Sequence, residues 1–176
     1  MDRLQRHSRW PGRTLELLMG LGLAVGGAVY LWAGTIEREP GRAARLLGSG
    51  HLWADAGRKE LDRALDGSLP DDARQAHLRQ AVDALRAGLA LSPLDPYAWA
   101  DLALSLWLAG APTAEAAQAL ERSLATGPAE RNLLPLRVRL INALGPFLSE
   151  EGRSLADRER ALARRTSSSL RRLLNP

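Results

Sequence analysis

The longest apolar stretch of the chain lies near its N-terminus. Leu17 to Gly34 reads LLMGLGLAVGGAVYLWAG, a run without a charged side chain. As an α-helix this run is about 27 Å long, close to the thickness of the hydrocarbon core of a bilayer. Tyr30 and Trp32 lie near its end, as aromatic residues do at a membrane interface. The pattern predicts a transmembrane helix over residues 14–34.

Two other interpretations of this segment stay open. A helix buried in a soluble core is one, although so long an uncharged run is unusual in a small soluble protein. A cleaved signal peptide is the other, and it agrees with the basic residues before the run. Cleavage before Gly34 would place Leu31 three residues upstream, where leucine is too large. We therefore expect an uncleaved anchor.

The orientation of the anchor follows from its flanking charges. Residues 1–13 carry one acid, Asp2, and four arginines: Arg3, Arg6, Arg9 and Arg13. The flank after the helix is mixed, with Glu37, Arg38, Glu39 and Arg42. The positive-inside rule then predicts a cytoplasmic basic segment over residues 1–13 and the bulk of the chain on the other side. Since Lys59 is the only lysine, the arginine bias suggests a GC-rich bacterial genome. In a bacterium, the predicted orientation anchors the chain in the inner membrane with its bulk in the periplasm.

The predicted anchor contains small residues at helical spacing. Gly22 and Gly26 are four residues apart, which lets two membrane helices approach closely. The spacing predicts self-association or contact with a partner helix. The alternative is chance, because glycine is common in membrane helices.

Beyond residue 34 the pattern changes to short amphipathic helices separated by glycine and proline. Residues 35–70 read as a juxtamembrane helical connector, and residues 71–176 as the main domain. One helix, from about Asp72 to Leu91, spaces its apolar residues for a single buried face: Leu78, Val82, Leu85 and Leu89. Asp71 or Asp72 is a predicted cap of this helix, and Thr113 of a later one. Further helices are expected from Pro96, about Glu130 and about Ser154.

Composition supports a helical fold and excludes several chemistries. Hydrophobic residues make up 45% of the chain but aromatic residues only 5%, so leucine and alanine dominate and an all-α fold is expected. The chain has no cysteine, which excludes disulfides, thiolate metal sites and cysteine nucleophiles.

The stretch from Ser92 to Pro128 resembles a tetratricopeptide repeat, a helical hairpin that stacks on its neighbours. The residues that carry the resemblance, here predicted to pack the repeat, are Trp99, Leu102, Ala103 and Leu106 on the first helix, Gly110 at the turn, Ala116, Leu120 and Ser123 on the second helix, and Pro128 at the close. Ala81 to Pro93 repeats the spacing of Ala116 to Pro128. After Pro128 the pattern is lost, because Arg137 and Arg139 stand where apolar residues are expected. The sequence therefore predicts one and a half repeats inside an irregular helical domain.

A second resemblance covers residues 89–103 (LALSPLDPYAWADLA), residues 125–128 and the arginine-rich final helix. These segments are similar to small anchored helical-repeat proteins of bacterial exopolysaccharide export. That resemblance implies an accessory role without catalysis.

Charge divides the domain into two parts. Residues 71–128 contain four arginines against seven acids, whereas residues 130–176 contain ten arginines against five acids. A basic contact surface for anionic lipid, an acidic polysaccharide or an acidic partner is predicted at Arg153, Arg160, Arg164 and Arg171. The alternative is an ordinary solvated helix face. Nucleic acid is not expected as a partner, because the domain is predicted to lie outside the cytoplasm.

Candidate catalytic groups are sparse. His7, His51 and His77 have no further ligand at metal-binding spacing, and Asp71-Asp72 precede a helix rather than forming an acid–base pair. We expect no enzyme activity, no cofactor and no metal. The sequence thus favours a non-catalytic, membrane-anchored scaffold or adaptor in a bacterial envelope assembly, whose partners are the bilayer and other envelope proteins. The alternative is an accessory structural subunit of an integral membrane complex, held by its transmembrane helix.

Overall fold

The computed structural model describes residues 48–166. The predicted cytoplasmic segment, the predicted membrane helix with Gly22 and Gly26, and Arg171 lie outside the described residues. All described residues belong to the second of two compact units, which begins at Pro40. From residue 48 to residue 166, no helix is both long enough and apolar enough to cross a bilayer.

The described part of the chain is all-helical, which confirms the predicted fold class for these residues. Its helices are α1 (Gly50–Ala64), α2 (Asp71–Leu91), α3 (Pro96–Leu108), α4 (Thr113–Thr126), α5 (Leu134–Leu144) and α6 (Glu150–Thr166). Short 3-10 turns, Arg131–Leu133 and Gly145–Phe147, precede and follow α5. The helix α3 begins at the predicted residue, Pro96.

Helix capping differs from the sequence prediction at both helix starts for which a cap was predicted. Asp95 caps α3, accepting hydrogen bonds from the backbone N–H groups of Tyr97 and Ala98 at 2.9 and 3.1 Å. The predicted caps of α2 and α4 were wrong, since prolines precede both helices and no side chain caps either one. Asp71 instead lies in the first turn of α2, where its negative charge interacts favourably with the helix dipole. Its carboxylate also forms an ion pair with Arg74.

Helices α1 and α2 form a closely packed pair. A Cβ atom on Gly88 would lie 2.9 Å from the carbonyl oxygen of Gly50, and one on Gly57 would lie 2.6 Å from a side-chain carbon of Leu85. Only glycine allows the two backbones to approach this closely. The sequence assigned residues 50–64 to a connector, whereas in the structure Leu61 joins a buried cluster with residues of α2.

The turns after α2 and α4 repeat one another 35 positions apart in the chain. Ser92 has φ −135° and ψ 71°, and Gly127 has φ −136° and ψ 66°. The same hydrogen bond follows in each turn, from Asp95 N to the Ser92 carbonyl (3.3 Å) and from Glu130 N to the Gly127 carbonyl (3.4 Å). The structure therefore contains an internal repeat of helix pairs, joined by equivalent turns.

The region after Pro128 forms a third helix pair, whereas the sequence predicted helices there without the repeat pattern. The four packing positions predicted on α3 have equivalents 35 positions later in the chain. These equivalents are Leu134, Arg137, Val138 and Ile141, and their side chains are fully buried. Arg137 thus occupies an interior apolar position of the repeat. Its guanidinium is buried because the neighbouring helices supply acceptors for it.

Four acceptors surround the Arg137 guanidinium. Its Nε donates to Ser123 Oγ (3.1 Å), Nη1 donates to the Gly127 carbonyl (2.9 Å) and to Glu159 Oε1 (3.1 Å), and Nη2 donates to the Ser123 carbonyl. The Ser123 hydroxyl in turn donates to the carbonyl of Pro96 at 2.7 Å. Between residues 48 and 166 every buried side-chain nitrogen and oxygen has a partner. The network joins α3, α4, α5 and α6.

Candidate functional site

A groove of about 750 Å³ lies between α1, the turn from α2 to α3, and the start of α3. Ala54 and the prolines of the turn supply apolar walls, and Tyr97 supplies an aromatic one. Leu94 projects at the rim with 76% of its surface exposed. Leu94 thus adds exposed apolar surface to the lining of the groove.

Carboxylates surround the single arginine of this groove. Arg58 Nε donates to Asp101 Oδ2 at 2.9 Å, and its guanidinium lies 3.9 Å from Asp55. Asp95 caps α3 with one carboxylate oxygen, and the other lies 3.9 Å from the exposed imidazole of His51. The groove therefore combines apolar walls with an excess of negative charge.

The pKa of Asp101 reflects this environment. Burial raises the pKa of the Asp101 carboxyl, the charge and hydrogen bond of Arg58 lower it, and the nearby charges of Asp62 and Asp95 raise it further. The net direction is upward. Burial alone would lower the pKa of Arg58, but the charges of Asp101, Asp55 and Asp95 raise it above its ordinary value.

Tyr97 forms a fixed wall of the groove. Its hydroxyl donates a hydrogen bond to Glu130, and the amide of Asn132 approaches the same hydroxyl at 3.5 Å. Because both of these residues precede α5, Tyr97 links the groove to the third helix pair. Its ring is held in place by contacts outside the groove.

Trp99 borders a second groove of about 470 Å³, formed by α2, α3 and α4. Its indole packs against the central core, and its Nε1–H donates to the carbonyl of Pro93 at 2.8 Å. Trp107 is 42% exposed. The sequence prediction assigned a packing role to Trp99. The observed contacts favour that assignment, which a mutational measurement can test.

The other predicted packing residues occupy distinct environments. Buried side chains are Leu102, Ala103, Leu106, Ala116, Leu120 and Ser123. Gly110 adopts φ +71° in the turn between α3 and α4, and Pro128 is exposed in the turn after α4. The sequence missed Arg137 and Glu159 as interior residues. The sequence did offer a signal for this buried pair: an arginine stands at an apolar position of the repeat, and a glutamate follows on the next helix.

The predicted basic surface is partly paired. Arg153 and Arg164 are exposed on α6, whereas Arg160 binds Asp157 at 3.1 Å, and Arg171 lies outside the described residues. Arg165, which the sequence analysis did not select, is exposed beside Arg164. The surface on α6 therefore consists of separate arginines that flank an acidic residue.

The histidines of the described region each face a carboxylate. His77 Nδ1 lies 2.7 Å from Glu60 Oε2, which links α2 to α1, and His51 lies near Asp95. Within residues 48–166 no three histidine, cysteine or acidic side chains are grouped so that they could hold a metal ion. The His77–Glu60 contact serves the packing of the first helix pair.

Comparison with known proteins identified no relative. No model of a protein family matches the chain, and neither a curated protein nor a solved structure matches it significantly. The functional argument therefore depends on the residues and geometry described above.

Proposed function

We propose that this protein is a non-catalytic scaffold, anchored in a bacterial inner membrane by residues 14–34, whose helix pairs bind a protein segment in the groove between α1 and α3. The observation that carries the proposal is the groove itself. It is large enough for several side chains, has apolar and aromatic walls, and contains carboxylates around Arg58.

The repeat supports a binding role rather than a catalytic one. Stacked helix pairs form extended surfaces that bind other proteins, and the turns after α2 and α4 repeat the same geometry. The resemblance of residues 92–128 to tetratricopeptide repeats points the same way. The charged groups of the groove are held by contacts with each other and with the backbone, as Asp95 is by its cap of α3.

The setting of the scaffold follows from the sequence. The uncharged run Leu17–Gly34 and the arginines of residues 1–13 support an envelope location with the helix pairs in the periplasm. The resemblance to accessory proteins of exopolysaccharide export suggests one such assembly. Alkaline phosphatase and cytoplasmic reporter fusions at the C-terminus test the orientation, and activity of the cytoplasmic reporter alone would contradict it.

Groove binding can be tested with two matched leucine variants. The full chain is purified from membranes in mild detergent as the wild type, as Leu94→Asp at the groove rim, and as Leu65→Asp at the far end of α1. Both leucines are more than half exposed, so neither change should unfold the protein. We expect quantitative mass spectrometry to show the same bound proteins for wild type and Leu65→Asp, and loss of them for Leu94→Asp. Equal recovery from all three would contradict the proposal.

The alternative is an accessory subunit of an integral membrane complex, held by the anchor. The spacing of Gly22 and Gly26 favours this version, since small residues let membrane helices pack closely. Replacement of residues 14–34 by an unrelated membrane helix separates the two functions. Loss of partners after this exchange would favour the alternative, whereas retention would favour the groove.

A further inference from the structure

A further groove, of about 430 Å³, lies between α6 and the turn that follows α4. Leu155 and Leu162 of α6 line this α6 groove together with Leu124 of α4 and with Pro128 and Ala129 of the turn. Its volume falls in the range of sites that hold small molecules. The α6 groove is separate from the groove between α1 and α3, since no residue lines both.

Helix α6 presents two neighbouring rows of side chains to this groove. Leu155 and Leu162 are seven positions apart, so they lie on one line along the helix. Arg158 and Arg165 have the same spacing and form a second line beside the first. The leucines are half-buried, whereas the arginines are exposed. The α6 groove thus has an apolar floor and a basic rim, each about 10 Å long.

The positive charge of the rim is not neutralised within the groove. Arg158 Nε donates a hydrogen bond of 3.5 Å to the carbonyl of Ser154, and neither Arg158 nor Arg165 forms an ion pair within residues 48–166. One acid, Glu159, lines the groove, but it is buried and paired with Arg137 at 3.1 Å. The exposed acids of α6 are not part of the lining: Glu150, Glu151 and Asp157. The α6 groove therefore favours a negatively charged ligand.

The turn beside the α6 groove departs from the internal repeat at one residue. Ala129 has φ +71°, whereas Leu94, its equivalent 35 positions earlier, does not have a positive φ. A left-handed backbone is strained for alanine, and strained residues occur preferentially at sites that bind ligands. The strain at Ala129 is thus a second observation, independent of charge, at the same groove.

We propose that the α6 groove binds a fatty acid, with the carboxylate on the arginine rim and the hydrocarbon chain on the leucine floor. Guanidinium groups bind carboxylates through paired N–H donors, and burial of methylene groups on leucine is favourable. A single hydrocarbon chain matches a floor one leucine row wide, whereas an α-helix with its side chains is about 10–12 Å in diameter. The inference depends on the proposed function only for the membrane setting, which supplies such molecules.

Photolabelling of the full chain tests the site. The protein is placed in phosphatidylcholine nanodiscs and irradiated with dodecanoic acid that has a diazirine on its chain, and mass spectrometry locates the label. We expect labelled peptides from α6 around Leu162 and from the turn around Ala129, and competition by excess unlabelled dodecanoate. The photoreactive alcohol with the same chain lacks the charge, so it should label these peptides at least about fivefold less.

Two double variants on the same helix provide a matched comparison. Arg158→Gln/Arg165→Gln removes the rim, and Arg153→Gln/Arg164→Gln removes the same charge from exposed positions of α6 outside the groove. We expect the first to lower labelling at least about fivefold and the second to label as wild type. Ala161→Phe, at an exposed position of the lining, should block the groove without a change of charge. Circular dichroism checks that each variant is folded.

The outcomes separate this inference from the proposed scaffold function. Equal labelling by the acid and the alcohol, or labelling that is the same in both double variants, would overturn the fatty-acid site. Loss of a co-purified protein from Arg158→Gln/Arg165→Gln with unchanged photolabelling would assign the α6 groove to an acidic protein partner instead. Leu94→Asp alters the other groove and should label as wild type, so its effect on partner recovery reports on the scaffold function alone.

Discussion

Within residues 48–166, Ala129 is the one non-glycine residue with a left-handed backbone conformation, at φ +71°. This conformation costs an L-residue about 1–2 kcal/mol, and glycine adopts it without that strain. We expect Ala129→Gly to increase the free energy of unfolding by about 1 kcal/mol, as measured by chemical denaturation of residues 40–176. Ala161→Gly, in the middle of α6, is the control and should destabilise by a similar amount. Destabilisation by both changes would contradict the assigned strain.

Trp99 and Trp107 lie on one helix but differ in burial. Because Trp99 packs against the core and Trp107 is 42% exposed, we expect Trp99→Ala to destabilise the domain by about 2–3 kcal/mol and Trp107→Ala by less than about 1 kcal/mol. Thermal melts by circular dichroism measure both. Trp99→Phe keeps an aromatic ring and should lose mainly the hydrogen bond to Pro93. An unchanged melting temperature for Trp99→Ala would refute the packing role.

Asp101 gives stability a pH dependence of predictable sign. Burial raises its pKa in the folded state above the ordinary value, so folding favours the protonated carboxyl. The resulting stabilisation is fully present below the unfolded pKa and is lost as the pH rises through the raised folded pKa. Asp101→Asn lacks this titration but keeps an acceptor for Arg58. We expect the stability of wild type relative to Asp101→Asn to fall as the pH rises across that window, and a constant difference would contradict the prediction.

At the scale of elements, the third helix pair depends on a buried ion pair. Arg137 is fully buried and Glu159 is 4% exposed, and α5 packs against both α4 and α6. A buried charge that loses its partner destabilises strongly, whereas replacement of both partners by apolar side chains is often tolerated. The third helix pair therefore has a buried arginine at the position that Leu102 occupies in the preceding pair, and this arginine is matched by Glu159.

A double-mutant cycle measures this coupling. We expect Arg137→Met alone to destabilise residues 40–176 by about 3–5 kcal/mol, because Glu159 stays buried without its cation. Arg137→Met with Glu159→Leu should recover at least about 2 kcal/mol of that loss. The carbonyls of Ser123 and Gly127 lose a donor in both variants but keep backbone hydrogen bonds. Strictly additive single changes would show that the pair is not coupled.

At the scale of the whole domain, one core unites all three pairs. The central cluster includes Ala54 of α1, Leu85 of α2, Ala103 of α3, Leu120 of α4, Ile141 of α5 and Ala156 of α6. We therefore expect thermal unfolding of residues 40–176 to be a single transition, with coincident midpoints by circular dichroism and tryptophan fluorescence. Two separated midpoints would indicate that a helix pair unfolds independently.

The sequence by itself determined the helical class and several element boundaries, because these depend on local interactions. The apolar spacing of Leu78, Val82, Leu85 and Leu89 corresponds to the buried face of α2. The proline at position 96 and the glycine at position 110 mark the start of α3 and the turn after it, since each restricts or permits a particular backbone conformation.

Only the tertiary structure decided which residues meet across the domain. Residues 50–64 gave no repeat signal, yet α1 packs on α2 because glycines on both helices allow close approach. Arg137 looked like a break in the repeat because its acceptors lie 10 to 22 positions away in the chain. At the groove, Arg58 binds Asp101, which lies 43 positions away in the chain. A local sequence pattern cannot reveal a contact between residues so far apart. Helix formation is a local property of the chain, whereas burial of charge and the shape of a groove depend on contacts between distant residues.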